Sequence, residues 1–312
     1  MIFTVTLNPA VDKIAKVDEV VIGKVNRLSQ IESEPGGKGI NVARTIKTLD
    51  IPCIATGFLG GSGGNLISCM LQREEVECHM VHIIGNTRTN LKIIDGTNQM
   101  SEFNEEGPFI LQNECDELMD YFNHNLDVDS ILVISGSIPK GLSSSTYAGL
   151  IEMAKDLGAK VLIDTNIDLL KGAMVAMPDI VKLDAADLCR LVDHPDFGNT
   201  ADYISYATML LAQNVGVVII RVDFNHFLIV SHELTLECEI QDADVRMGVG
   251  AGDAFVAGFV VGLNQRLALR ECIHLAGSCF RGACFQKSPY AMFYERIVNS
   301  KDYVVIKEVE CI

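Results

Sequence analysis

The stretch Gly248-Val249-Gly250-Ala251-Gly252-Asp253-Ala254-Phe255 carries the densest chemical signal in the chain. Its alternating glycines leave a backbone with little side-chain cover. Directly after it, Ala254, Phe255, Val256, Phe259, Val260 and Leu263 have the apolar spacing of a buried helix. A bare loop opening into a helix offers unpaired N–H groups and the positive dipole end, a ready seat for an anion. Asp253 stands at that mouth. A carboxylate there could serve only as a helix cap. Capping does not require alternating glycines before it, whereas a group approaching the backbone closely does. The chemistry expected of Gly248, Gly250, Ala251, Gly252 and Asp253 is therefore the handling of a phosphate.

A second glycine-rich helix entry precedes it, Pro35-Gly36-Gly37-Lys38-Gly39-Ile40-Asn41. Gly39 follows Lys38 where a Walker loop has Ser or Thr, so this is not a P-loop. It still offers backbone donors, a cation, and an amide at Asn41 suited to a hydroxyl. Two such entries in one chain fit a reaction that involves two phosphate groups. Three further stretches bear on the same chemistry. Asp12 follows a buried strand (2–7) closed by Asn8-Pro9-Ala10, and reads either as a turn carboxylate or as a ligand group. Arg88, before a strand at 91–94, reads either as a surface arginine or as a bidentate phosphate partner. The small residues Ser135-Gly136-Ser137, leading to Lys140, follow a strand at 131–134, where open α/β sheets bind ligands.

The elements that must position these groups alternate. Strands at 53–57, 131–134, 160–163, 180–183 and 215–222 are interleaved with helices at 65–74, 113–123, 144–157 and 203–212. Such repetition predicts a doubly wound, mostly parallel α/β sheet with helices on both faces. Residues 14–33, which include Arg27, and a hairpin after Thr87 predict a small separate sheet, a β lid of roughly residues 13–34 and 88–106. With no linker or repeat in its 312 residues, the chain reads as one domain.

Composition narrows the partners. A net charge of −16 repels nucleic-acid backbones and anionic membranes, so a phosphate ligand must be drawn by local cations. The start, Met1 to Val5, lacks the basic, apolar and cleavage regions of a signal peptide. The ten cysteines include no Cys-x-x-Cys pair and read as core residues of a reduced, cytoplasmic protein. Two rival signals are weaker. Gly60-Gly61-Ser62-Gly63-Gly64 matches a nucleophile elbow, but His226, His232 and His274 have no evident loop placement to complete a triad. Cys78, His79 and His82 have metal-ligand chemistry, but their alternation reads as a strand with outward histidines.

Taken in order, Thr6-Leu7-Asn8-Pro9-Ala10-Val11-Asp12, Gly36 to Val42, Thr87-Arg88-Thr89-Asn90, Glu102-Phe103-Asn104, Ser135 to Gly141 and Val249 to Asp253 resemble the ribokinase-like (PfkB) family of sugar kinases. The resemblance implies a doubly wound sheet with a β lid, a lid often used to form a homodimer, and ATP with Mg²⁺. It implies that Asp12, Gly37, Lys38, Gly39, Asn41 and Asn90 serve the sugar, with Arg27, Arg88 and Lys140 as candidates for its phosphate. Asp253 would be the base, and the amides of Gly250, Ala251 and Gly252 the anion hole. The acceptor implied is a phosphorylated ketohexose, with Thr89 to Ile93 and Glu102 to Asn104 tilting towards fructose 1-phosphate over tagatose 6-phosphate.

The departures cluster on the nucleotide side. The family's Lys-Pro-Asn-x-x-Glu stands here as Lys182-Leu183-Asp184-Ala185-Ala186-Asp187, leaving Asp187 as the acidic group towards the metal, directly or through water. Its Ser-Leu-Gly-x-x-Gly turn stands as Arg221-Val222-Asp223-Phe224-Asn225-His226, with both glycines replaced. Either Arg221 and altered loops bind nucleotide differently or ATP binds weakly. The second outcome would leave a sugar-phosphate sensor rather than an enzyme.

Overall fold

A computed structural model describes residues 1–193, 199–243, 250–285 and 294–309. Its first strand, β1 (Ile2–Thr6), is buried along its whole length, as a strand covered on both faces must be. Parallel to it run β4 (Cys53–Leu59), β5 (Glu77–His82), β8 (Ile131–Ser135), β9 (Lys160–Asp164), β10 (Ile180–Asp184) and β11 (Val217–Arg221). Three antiparallel strands, β12 (His226–Ser231), β13 (Thr235–Ile240) and β14 (Val304–Glu308), extend one side. The order is β14-β13-β12-β11-β10-β9-β8-β1-β4-β5. The parallel doubly wound core follows the sequence reading. The antiparallel hairpin β12–β13 and the strand β14 were not foreseen.

Alternate residues of each strand feed two cores. Ile131 and Val133 face α1 (Lys38–Thr48), α2 (Gly61–Arg73), α8 (Ala251–Asn264) and α9 (Leu269–Cys284). Leu132 and Ile134 face α3 (Gln112–Asn125), α4 (Ser144–Asp156), α5 (Ile167–Ala173), α6 (Ala185–Leu191) and α7 (Thr200–Leu211). Helix α8 is apolar almost all round because α1 and α9 flank it and its Phe255 stacks on Phe227 of the sheet. A side chain at Gly258 or Gly262 would stand 2.8 Å from backbone atoms of α9, so these positions let the two helices approach.

A second sheet has the order β3-β2-β6-β7, with β2 (Ala10–Lys16), β3 (Ser29–Gly36), β6 (Arg88–Ile94) and β7 (Met100–Asn104). Two element boundaries differ from expectation. Asp12 lies inside β2 rather than on a turn, and Arg88 begins its strand rather than preceding it. The cause is the parallel β2–β6 pairing, which runs from Ala10↔Arg88 to Lys16↔Ile94 and is invisible to local turn signals. Among the described residues no helix is long and apolar enough to cross a membrane.

Candidate active site

Six consecutive residues join three carboxylates. Gly36 ends β3 so close to Asp12 that a Cβ there would sit 2.5 Å from the carboxyl carbon. Gly37 turns the chain into α1 with φ 123°, a conformation that favours glycine. Lys38 in the first turn reaches Asp164 at the end of β9, Nζ to Oδ1 2.9 Å. Asn41, one turn in, donates from Nδ2 to Oδ2 of Asp253 at 2.8 Å. A Cβ on Gly39 would meet Thr6 Oγ1 and the Val5 carbonyl within 2.6 Å, so only glycine lets α1 sit this close to β1.

Asp253 is 7% exposed in the first turn of α8. Gly250 caps that helix at φ 77°, and the first amides of any helix lack partners within it. Burial pushes the Asp253 carboxyl up to about 6 against the pull of Lys38; Asp164 adds to the rise, while the Asn41 hydrogen bond and Lys182 oppose it. Lys182 Nζ lies 3.8 Å from the position a Cβ on Gly252 would take, so a cation flanks the amide cluster.

Beneath these groups, Asp164 Oδ1 accepts from Lys38 and from Lys182, the latter at 3.3 Å. Burial opposes charge on Asp164, but the two ammonium groups outweigh it and hold the carboxyl below its usual range. Burial likewise opposes charge on Lys38, and Asp164, Asp253 and Asp184 outweigh it and raise the ammonium pKa. The Lys38 side chain stays 42% exposed, so this cation remains reachable from the cleft.

Towards the small sheet, Asp12 accepts from Asn90 Nδ2 and Lys92 Nζ, each at 2.9 Å. Arg88 donates to the carbonyls of Asn8 at 3.0 Å and Glu105 at 3.1 Å. Burial lowers its pKa, with Asp12 acting the other way. Asn8 Nδ2 in turn donates to Ser137 Oγ at 3.2 Å. Asn8 Oδ1, Asn41 Oδ1, Asn90 Oδ1 and Arg88 Nε are buried without hydrogen-bond partners. Orphaned polar atoms are costly, and these are of the kinds that bind hydroxyls and anions.

The remaining expected residues are placed less directly. Lys140 is exposed and paired with Glu106. Arg27 lies exposed between β2 and β3, and among the described residues no hydrogen bond or ion pair ties it to the cleft. Asp184 stands at the start of α6 without a capping side-chain hydrogen bond, 3.6 Å from Lys182; Asp187 follows in the first turn, 3.8 Å from Arg190. Burial and then Asp184 raise the Asp187 pKa. Arg221 ends β11 in register with Asp184, but its Nε donates to the carbonyls of Asp223 and Phe224, and its guanidinium lies against the rings of Phe224 and Phe280. The glycine-free turn is thus held by its own arginine and by an Asn225 N–H bond to Asp223. Gly248 lies outside the described residues.

The sequence reading singles out neither Asp164 nor, within the stretch Thr89 to Ile93, Lys92 itself, though strand alternation puts Lys92 on the face of Asn90 and a strand end marks Asp164. Neither rival signal gathers a site. Ser62 is exposed at the start of α2, with no histidine bonded to it among the described residues. Cys78 and His79 project from opposite faces of β5, and His79 stacks on Tyr121 with centroids 3.6 Å apart. A cavity of about 320 Å³ over β12–β14, lined by Asp223, Asn225, His226, Glu237, Glu239, Val305 and Lys307, shares no lining residue with the Asp12–Asp253 cleft.

A 1-phosphofructokinase of Bacillus subtilis (strain 168) is 33% identical over 88% of this chain and 89% of its own length. A tagatose-6-phosphate kinase of Staphylococcus epidermidis (strain RP62A) is 28% identical over 89% and 90%. The fold is that of phosphofructokinase-2 from Escherichia coli, with a TM-score of 0.91 over 97% of this chain and 98% of that one at 24% identity. The family model described as pfkB family carbohydrate kinase matches residues 5–289. The chain is a member of the pfkB family of carbohydrate kinases.

Proposed function

We propose that this kinase transfers the γ-phosphoryl group of ATP to a hydroxyl of a phosphorylated ketohexose, fructose 1-phosphate ahead of tagatose 6-phosphate. The observation that carries the reading is the Asp253 carboxylate at the mouth of α8, bonded to Asn41 and tuned to about 6. Near pH 7 it is mostly ionised yet basic enough to accept a proton, as general base catalysis requires. The acceptor oxygen loses its proton to Asp253 and bonds to the γ-phosphorus, while the bond from that phosphorus to the bridging oxygen breaks and ADP departs. The amides of Gly250, Ala251 and Gly252 face the migrating group and need no reorganisation. Lys38 and Lys182 balance its charge from beside Asp164. Asp12, Gly37, Gly39, Asn41 and Asn90 hold the sugar, and Arg88 takes its phosphate, assisted by Lys140 and Arg27.

Mg²⁺ suits the oxygen donors Asp184 and Asp187, two neighbouring carboxylates whose mutual repulsion a divalent ion relieves. When bound it would neutralise the nucleotide phosphates. Exposed apolar side chains on the small sheet, Ile31 and Phe103, with Ile22 and Val25 in the adjoining loop, favour use of this lid as a homodimer face. Sedimentation of I31E/F103E against the wild type tests it: loss of a dimer supports the lid contact, and an unchanged dimer contradicts it.

The altered turn at Asp223 and His226 favours a second reading, a sugar-phosphate sensor that does not use ATP efficiently. A panel of phosphorylated ketohexoses with ATP, Mg²⁺ and a coupled ADP readout separates the two. ADP release dependent on fructose 1-phosphate supports the kinase. Sugar-phosphate binding by calorimetry without ATP binding or ADP release supports the sensor.

A further inference from the structure

Lys92 is 7% exposed on β6, two residues beyond Asn90 and on the same side of the strand. Its Nζ sits 2.9 Å from Asp12 Oδ2, and Asn90 Nδ2 sits 2.9 Å from Oδ1. Gly36 backs the same carboxylate, where a Cβ would fall within 2.7 Å of all three carboxyl atoms. The group is therefore clamped from β3 on one side and β6 on the other. Its own charge, 4% exposed, would be costly at this depth without a matched cation.

One further carboxylate-rich cluster, Asp164 and Asp253, is tied to the entry of α1 through Lys38 and Asn41. Lys38 and Lys182 already serve Asp164. Arg88, the phosphate candidate, feels the field of Asp12 directly. Without the Lys92 charge, Asp12 would repel an incoming dianion more strongly and compete with it for Arg88. A free sugar carries no such charge and would be indifferent.

We propose that Lys92 is a specificity-determining positioning residue: by pairing with Asp12 it keeps the sugar pocket open to an anionic acceptor, so that phosphorylated sugars are preferred over free ones. This rests on the sugar-phosphate reading above.

The readout is the ratio of affinities for fructose 1-phosphate and fructose, measured by calorimetry on the wild type, K92M, K92R, D12N and D12N/K92M. We expect K92M to cut the ratio by about tenfold or more, as loss of the ammonium beside a buried carboxylate should. K92R should keep it within about threefold, since the charge survives. D12N should raise the ratio because the carboxylate charge that acts on Arg88 is gone while the ammonium remains, and D12N/K92M should return it towards the wild type. Should K92M fail to fold, D12N against D12N/K92M carries the test. Equal weakening of both sugars in K92M, or an unchanged ratio in D12N, overturns the proposal. A wild type that does not distinguish the two sugars sinks the sugar-phosphate reading itself. A wild-type preference that survives unchanged in every variant sinks only the role of Lys92.

Discussion

Asn41 and Asp253 meet across two helix entries, Nδ2 to Oδ2 at 2.8 Å, while Asn41 Oδ1 stays buried and unpartnered. One amide thus fixes the carboxylate proposed as the base and keeps an acceptor unspent. The other Asp253 oxygen is left to take a proton.

The pH dependence follows from that environment. With the Asp253 carboxyl raised to about 6, kcat/KM should fall on the acid side with a midpoint near that value, because only the ionised form accepts a proton. Stability runs the opposite way. The folded pKa lies above the ordinary 3.8, so the folded state holds the proton more tightly, and this group's favourable contribution is complete below pH 3.8 and lost as pH rises through about 6. D253N should therefore be more stable than the wild type at pH 7.5, by on the order of 1–3 kcal/mol, with the gap closing below pH 4. Melting curves at the two pH values decide it; a variant less stable at both would contradict the buried-charge description.

Asp164 offers an independent check. It raises the Asp253 pKa while holding Lys38 and Lys182 on one oxygen. D164N should shift the acid limb of the pH–rate profile to lower pH. It should also lower unfolding stability by about 3–5 kcal/mol, the usual result of removing one partner from a buried ion cluster. A limb that stays in place would mean that Asp164 does not act on the base.

Arg88 tests the phosphate end. Its unpaired, buried Nε and its carbonyl-anchored Nη groups point to a guanidinium held in place for an anion. R88A should weaken fructose 1-phosphate by about 10²-fold, the scale of a charge-assisted contact, with little effect on free fructose. Equal losses for both sugars would refute the phosphate role.

Gly36 tests the closeness of the two sheets to the sugar. Any Cβ there meets the Asp12 carboxylate at 2.5–2.7 Å, so G36A must displace it. We expect KM for the sugar phosphate to rise by about tenfold or more with kcat changed less, a uniform-binding loss. A selective fall in kcat at constant KM would argue against Asp12 as a sugar ligand.

Much of this was legible in the residues. The glycine entries at Gly36–Gly39 and Gly250–Gly252 were recognisable because close backbone approach excludes side chains, and both open helices as expected. The parallel core could be read from strands apolar on both faces, such as Ile131 to Ile134. What escaped were relations set by pairing between distant segments. The Asp12–Lys92 ion pair depends on the register of β2 with β6, and the Lys38–Asp164–Lys182 cluster on the order of strands in the large sheet. The β12–β13 hairpin was missed because its turn lacks glycine and is held instead by Ser231, whose hydroxyl donates to the Leu234 carbonyl. Nor did the sequence reveal that Arg221 would fold back on its own turn, since that depends on Phe280 from α9.

The most direct test is a single-turnover measurement of phosphoryl transfer from ATP–Mg²⁺ to fructose 1-phosphate by the wild type and D253N, with sugar-phosphate binding followed in parallel. We expect the variant to transfer about 10²–10⁴-fold more slowly while binding fructose 1-phosphate nearly as well. Transfer at the wild-type rate in D253N would contradict the assignment of Asp253 as the base.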